Sequence, residues 1–285
     1  MQRRTKKPRL RRLVIPTLGL IAGLGTLEVA RRLYQARRLF SPERFPEGDW
    51  DAENLGLPVE DVWFGTEDGI ELHGWWMPHP KARATLLLCH GHSGSIAHRV
   101  EQFKGLFDHQ LSLLAFDYRG YGNSDGRPSE KGLFRDVRAA YDFLTEVIGE
   151  EPERIVLVGQ SLGGAVAIDG ALHRPVAGLV VQSSFIDVKA LARSAHPGLP
   201  MHLIAKNQFR SIDKVEHLPM PKLFIHGTAD QVIPIEHGRA LYERAAAPKQ
   251  FLAVPGADHH DVPDCGGETY FSRLAGFVDL CTRAA

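Results

Sequence analysis

The chain has 285 residues, 44% hydrophobic and 24% charged, a composition that supports a large folded core and excludes a disordered chain or a collagen-like repeat. Its 34 basic and 34 acidic residues cancel, but eleven basic residues and one acid, Glu28, fall within residues 1–40, which leaves the rest of the chain ten charges negative. A body of that sign repels a phosphate backbone and argues against nucleic acid as a partner. Three cysteines, Cys89, Cys265 and Cys281, are too few for a disulfide framework and lack zinc-site spacing.

In chain order, seven basic residues from Arg3 to Arg12 precede an uncharged run, Leu13 to Leu27, a targeting signature. Fifteen residues at about 1.5 Å rise span about 22 Å, short of a roughly 30 Å hydrocarbon core, so a membrane span must extend to Ala30 with flanking arginines snorkelling. An uncleaved signal-anchor over residues 13–30 is the expectation, with a cleaved signal peptide and an amphipathic surface helix as alternatives. The heavier basic flank in front predicts a single-pass protein with its N-terminus in the cytoplasm and the catalytic domain outside. Residues 1–40 are thus read as tail and anchor, 41–57, punctuated by Pro42, Pro46 and Gly48, as a linker, and 58–285 as one domain.

That domain opens with apolar stretches at Val62–Phe64 and Ile70–Trp76 around Glu67-Asp68-Gly69, an antiparallel hairpin pattern. Six compact apolar runs come next: Thr85–Cys89, Leu111–Phe116, Ile155–Val158, Leu179–Val181, Leu223–Ile225 and Phe251–Val254. Each suits a strand buried on both faces. Leu133, Val137, Tyr141, Leu144 and Ile148 mark one apolar face of an intervening helix. Strands alternating with helices imply a mostly parallel sheet with helices on both faces.

Four loops past strand ends carry candidate chemistry. Gly159-Gln160-Ser161-Leu162-Gly163, between a strand and a helix-like run, matches the nucleophile elbow G-x-S-x-G, in which crowding leaves no room for side chains at the two glycines. Ser161 as a plain helix cap is the alternative. A serine needs an imidazole base and a carboxylate to orient it. Asp230, after Leu223–Ile225, and His259, after Phe251–Val254, stand in the chain order serine, acid, histidine expected of this topology. His260 is a rival base and Asp187 a rival acid. His90-Gly91-His92 comes after Thr85–Cys89, and the backbone N–H groups of His92 and Leu162 are the expected oxyanion donors. Two histidines at i and i+2 without a third ligand do not make a metal site, and no metal or cofactor is implied.

These motifs, with Asp117-Tyr118-Arg119-Gly120-Tyr121-Gly122-Asn123-Ser124, Gly126-Arg127-Pro128-Ser129-Glu130 and His226-Gly227-Thr228-Ala229-Asp230, resemble the alpha/beta-hydrolase superfamily over residues 58–285. Within it they are similar to the small-capped, membrane-anchored group that includes protein depalmitoylases and bacterial esterase-like proteins. The resemblance implies Ser161 as nucleophile, Asp230 as acid and His259 as base, a structural role for Asp117–Gly122, and a small cap at about 184–217. The family commonly has Asn at His92 and His-Asn-Asp at His259-His260-Asp261. The function expected is a serine hydrolase acting on a small-molecule or acylated ester or thioester near a membrane. A serine peptidase and a catalytically silent, membrane-tethered interaction protein are the alternatives.

Overall fold

The computed structural model describes residues 39–52, 56–195 and 208–282. The chain divides into two compact units, 1–40 and 41–285. The strands of the second unit, in chain order, are β1 (Ser41–Pro42), β2 (Glu60–Gly65), β3 (Glu71–Met77), β4 (Thr85–Cys89), β5 (Ser93–Gly94), β6 (Ser112–Phe116), β7 (Ile155–Gln160), β8 (Gly178–Gln182), β9 (Lys222–Gly227) and β10 (Lys249–Val254). Its α-helices among the described residues are α1 (Val100–Phe107), α2 (Glu130–Asp142), α3 (Leu162–His173), α4 (Val188–Ala195), α5 (Ser211–Lys214), α6 (Ile235–Arg244) and α7 (Val262–Thr282).

Eight strands form one sheet in the order β10-β9-β8-β7-β4-β6-β3-β2, and β1 pairs with β5 in a separate two-stranded ladder. Among the described strands of this sheet, only β3 runs opposite to the rest, pairing antiparallel with both β2 and β6. The expected hairpin and parallel sheet are therefore both present, and the fold is the alpha/beta-hydrolase fold. The five residues of each of β4, β6 and β8 are buried, as unbroken apolar runs require when helices cover both faces. The helix expected over residues 133–148 begins at α2, where the Ser129 side chain caps Gly132 N, and passes into a π-helical stretch, Phe143–Ile148, that ends at Gly149 in the left-handed region. It buries Leu133, Val137, Tyr141 and Leu144.

Residues 41–52 lie against the body. Trp50 packs edge-on to Trp75 with centroids 5.6 Å apart, and Ala52 is buried in the core.

The transmembrane, signal-anchor placement requires correction. Among the described residues no helix is long and apolar enough to cross a membrane. The longest, α7, carries Asp264, Glu268, Arg273 and Asp279, breaks its helical dihedrals at Gly267, and packs Tyr270, Leu274, Phe277 and Val278 into the core. The apolar run 13–30 lies outside the described residues. The single-pass assignment with the catalytic domain outside, and the membrane as a partner, are accordingly withdrawn.

Candidate active site

β7 delivers Ser161 to the carboxyl edge of the sheet and α3 begins at the next residue. The turn between them is strained: Ser161 has φ 54° and ψ −117°, a region that costs on the order of 1–3 kcal/mol and persists only where surroundings enforce it. They do so through three hydrogen bonds. Ser161 N donates to Gln182 O (2.8 Å), Gly164 N to Ser161 O (3.0 Å) and the Ser184 hydroxyl to Ser161 O (2.8 Å). The glycines meet the crowding expected of them. A Cβ on Gly159 would lie 2.2 Å from Gly163 O, and one on Gly163 would lie 1.9 Å from Cys89 O. Although Ser161 stands at the N-cap of α3, its side chain makes no capping bond. Its hydroxyl faces His259 instead, with Oγ 3.0 Å from Nε2.

His259 sits on the loop after β10 and is buried. Its Nδ1 lies 2.8 Å from Asp230 Oδ2, so the three residues named from the sequence come together across separate strand ends. Asp230 Oδ1 accepts from Val232 N (3.0 Å) and Ile233 N (2.7 Å), and His226 Nε2 stands 3.3 Å from Oδ2. Burial pushes the Asp230 carboxyl up, but hydrogen bonds from His226, His259 and Ile233 N outweigh it and hold the group well below the usual carboxylate range. The site therefore contains an ionised carboxylate at neutral pH and an imidazole fixed between it and a hydroxyl. Such a chain can take a proton from the hydroxyl at Nε2 while the carboxylate stabilises the charge formed on the ring.

The rivals are placed elsewhere. His260 is exposed, its ring edge-on to that of His259 at 5.0 Å. Asp187 accepts from Ala190 N at 2.8 Å, in the first turn of α4.

His90-Gly91-His92 leaves β4 directly beside the elbow: a Cβ on Gly91 would lie 3.6 Å from Ser161 Cβ. Among the described residues, neither His92 N–H nor Leu162 N–H has a hydrogen-bond acceptor. The His92 imidazole is half-buried, and burial lowers its pKa, which favours the neutral ring. His90 is fully enclosed; burial drives it well below an ordinary histidine, its Nδ1 donates to Gly91 O (2.8 Å), and Nε2 lies 3.6 Å from Asp117 Oδ1.

Two groups at the site were not singled out from sequence. His226 braces the carboxylate loop, donating from Nε2 to Ile233 O at 2.8 Å. Asp258 Oδ1 accepts from Gln231 N (2.9 Å) and His259 N (2.8 Å), joining the acid loop to the base loop. His226 opens the motif that carries the acid and Asp258 directly precedes the base, and their polarity beside those residues was the available signal.

Comparison with known proteins places the chain by family and fold. Residues 80–211 match a family described as serine aminopeptidase, S33. An uncharacterised protein of Mycobacterium tuberculosis is 34% identical over 93% of this chain and 94% of its own length. The alpha/beta hydrolase domain-containing protein WAV2 of Arabidopsis thaliana is 30% identical over 79% of this chain and 80% of its own. Among solved structures, an esterase of Pyrococcus furiosus superposes with a TM-score of 0.71 at 24% identity, covering 85% of this chain and 98% of the esterase. Sequence kinship over most of the chain, the strand order and the placement of the elbow together make this chain a member of the alpha/beta-hydrolase superfamily.

Proposed function

We propose that the protein is a serine hydrolase that cleaves a carboxylic ester or thioester through an acyl-enzyme intermediate. The observation that carries this reading is the continuous chain Ser161 Oγ, His259 Nε2, His259 Nδ1, Asp230 Oδ2 at 3.0 and 2.8 Å. In the first half-reaction Ser161 Oγ attacks the substrate carbonyl carbon and His259 Nε2 takes the hydroxyl proton. Negative charge moves to the carbonyl oxygen, where the N–H groups of His92 and Leu162 stabilise it by about 3 kcal/mol each. Collapse of the tetrahedral species expels the alkoxide or thiolate, which leaves with the proton held on His259. In the second half, water replaces the leaving group, the same imidazole removes its proton, and the acid is released with Ser161 restored.

A serine at the elbow, rather than a carboxylate, disfavours the dehalogenase and epoxide-hydrolase chemistries that this fold also supports. The solved neighbour's name, an esterase, points the same way. A peptidase is the second reading, favoured by the serine aminopeptidase description of the matched family. Turnover of p-nitrophenyl esters by the full chain, with parallel amide and peptide substrates and the Ser161→Ala variant, tests the proposal. Ester turnover that disappears in the variant supports it. Peptide turnover exceeding ester turnover selects the second reading, and no turnover of either overturns both.

A further inference from the structure

Four successive carbonyls after β4 are each held by a donor. The Tyr118 hydroxyl donates to His90 O (3.0 Å), His90 Nδ1 to Gly91 O (2.8 Å), the Tyr121 hydroxyl to His92 O (2.8 Å) and Arg99 Nη2 to Ser93 O (2.9 Å). One of these acceptors has a second donor from far upstream: Ser41 N lies 2.9 Å from His92 O. Ser41 opens β1, which runs parallel to β5 in the register Ser41 to Ser93 and Pro42 to Gly94. The residues after it are pinned on their other side. Gly122 N donates to Glu43 O (2.8 Å), Phe45 N to Gly122 O (3.3 Å), and the Glu43 carboxylate meets His98 Nε2 at 2.9 Å. Residues 41–45 thus form a strap that ties the loop at 92–98 to the loop at 120–126.

A two-residue ladder adds little stability by itself, so its place matters more than its length. The His92 N–H shares a peptide plane with Gly91 O, and the next plane carries His92 O. Because each plane is rigid, holding Gly91 O from His90 and His92 O from Ser41 and Tyr121 leaves no soft rotation by which the His92 N–H can swing. Oxyanion stabilisation depends on donors aimed before charge develops, since a donor that must turn during the reaction loses part of its effect.

We propose that β1 is a positioning element of the active site: the Ser41 N–H, together with the Tyr121 hydroxyl, fixes the His92 carbonyl and thereby aims the His92 N–H at the oxyanion. The inference rests on the reading of His92 as an oxyanion donor. Ser41 is a positioning residue acting through its main chain, so the identity of its side chain is immaterial while its N–H is essential.

The test uses the full chain and a p-nitrophenyl ester. Ser41→Pro removes the N–H and suits an extended backbone; Ser41→Ala retains it. The expected result for Ser41→Pro is a fall in kcat of about ten-fold, milder than the 10²–10³ of losing a donor outright, with KM within about two-fold of the parent. Ser41→Ala restores the parent kcat. The dissociation constant of a trifluoromethyl ketone, which mimics the tetrahedral oxyanion, rises by the same factor as kcat/KM falls, a parallel that a merely structural role does not produce. Tyr121→Phe, which removes the other donor, shows the same parallel. Unchanged kcat in Ser41→Pro, or a fall in kcat with ketone affinity unchanged, overturns the proposal, as does equal damage from Pro and Ala. If Ser41→Pro fails to fold, the α-hydroxy acid at position 41 replaces the amide by an ester and is read by the same criteria. Ser161→Ala keeps the two readings apart. Loss of turnover there with an unaffected Ser41→Pro overturns the strap alone, whereas retained turnover in Ser161→Ala overturns the oxyanion reading beneath it.

Discussion

Ser161→Ala removes one oxygen atom from a buried position and leaves the elbow's main-chain hydrogen bonds in place. The expected outcome is a folded protein with turnover reduced by several orders of magnitude, and His259→Ala should cost about as much, because members of such a chain act as a unit. Thermal melts alongside initial rates separate loss of chemistry from loss of fold. Gly163→Ala is expected to behave in the opposite way. Its Cβ would lie 1.9 Å from a main-chain oxygen, so the elbow must move, at a cost near the upper end of overpacking, about 3 kcal/mol, read as a fall in denaturant midpoint.

A fourth residue carries a pH prediction. Asp117 is fully buried beneath the candidate oxyanion loop, with Oδ1 accepting from Ile96 N at 2.9 Å and with His90 and Arg99 nearby. Burial raises its carboxyl to about 7, against the pull of Ile96 N–H and Arg99. The folded state therefore holds a proton that the unfolded chain releases from about pH 4 upward, so the stability this proton confers is complete below pH 4 and is lost as pH rises toward 7. The melting temperature of Asp117→Asn, which does not titrate, should gain on that of the parent between pH 4 and 8. A constant difference across that range contradicts the buried, proton-holding carboxyl. At this scale the candidate triad was legible because each member comes after a strand in the required order. The bracing by His226 and Asp258 was less so, since a histidine or aspartate in a loop has many uses and only the contact distances select one.

At the scale of elements, apolar runs located the sheet well because strands buried on both faces have little choice of residue, although the run Phe251–Val254 lies in β10, an edge strand that is buried only at Val254. The Thr85–Cys89 run coincides with β4, and the hairpin pattern fell on β2 and β3. Less legible were features held by main-chain or tertiary bonds. Neither the π-helical continuation of α2 nor the pairing of Ser41–Pro42 with Ser93–Gly94 has a side-chain signature, since the second is made by backbone groups. The packing between α2, the β2–β3 turn and the Asp117–Ser124 loop gives a further prediction. Arg119 Nε reaches Asp136 Oδ1 at 2.8 Å, and its Nη1 and Nη2 reach Asp68 at 2.8 and 2.9 Å. Asp136 is fully buried, and its carboxyl is raised to about 6 by burial despite the arginine. Arg119→Met deprives that buried carboxylate of its counter-charge and should destabilise by about 3–5 kcal/mol, measured by urea unfolding at pH 8. Adding Asp136→Asn should recover part of the loss.

For the whole molecule, charge arithmetic sets the basic segment of residues 1–40 apart from an acidic remainder. What that arithmetic could not supply was a membrane placement. An apolar run of fifteen residues is short for a span, and no described helix takes that role. The 184–217 segment bears on substrate preference. Of its described apolar residues, Phe185 and Phe209 are buried, 6.5 Å apart between centroids, whereas Ile186 and Leu191 are half-buried. Leu199, Met201, Leu203 and Ile204 fall in 196–207, outside the described residues. If the partly exposed ones line the acyl path, each buried methylene of the substrate contributes about 0.8 kcal/mol. We expect kcat/KM to rise from acetyl toward medium or long acyl chains, and a profile that peaks at acetyl and falls steadily with length contradicts that preference.

The most direct test is to locate the acyl group itself. The full chain is mixed with a slowly released p-nitrophenyl ester, quenched in acid within the first turnovers and mapped by peptide mass spectrometry. An acyl-enzyme at the elbow predicts one added acyl mass, on the peptide containing Ser161, accompanied by a burst of nitrophenol equal to the enzyme present and absent from Ser161→Ala. An acyl group on any other residue, or steady ester hydrolysis by Ser161→Ala at the parent rate, would contradict that mechanism.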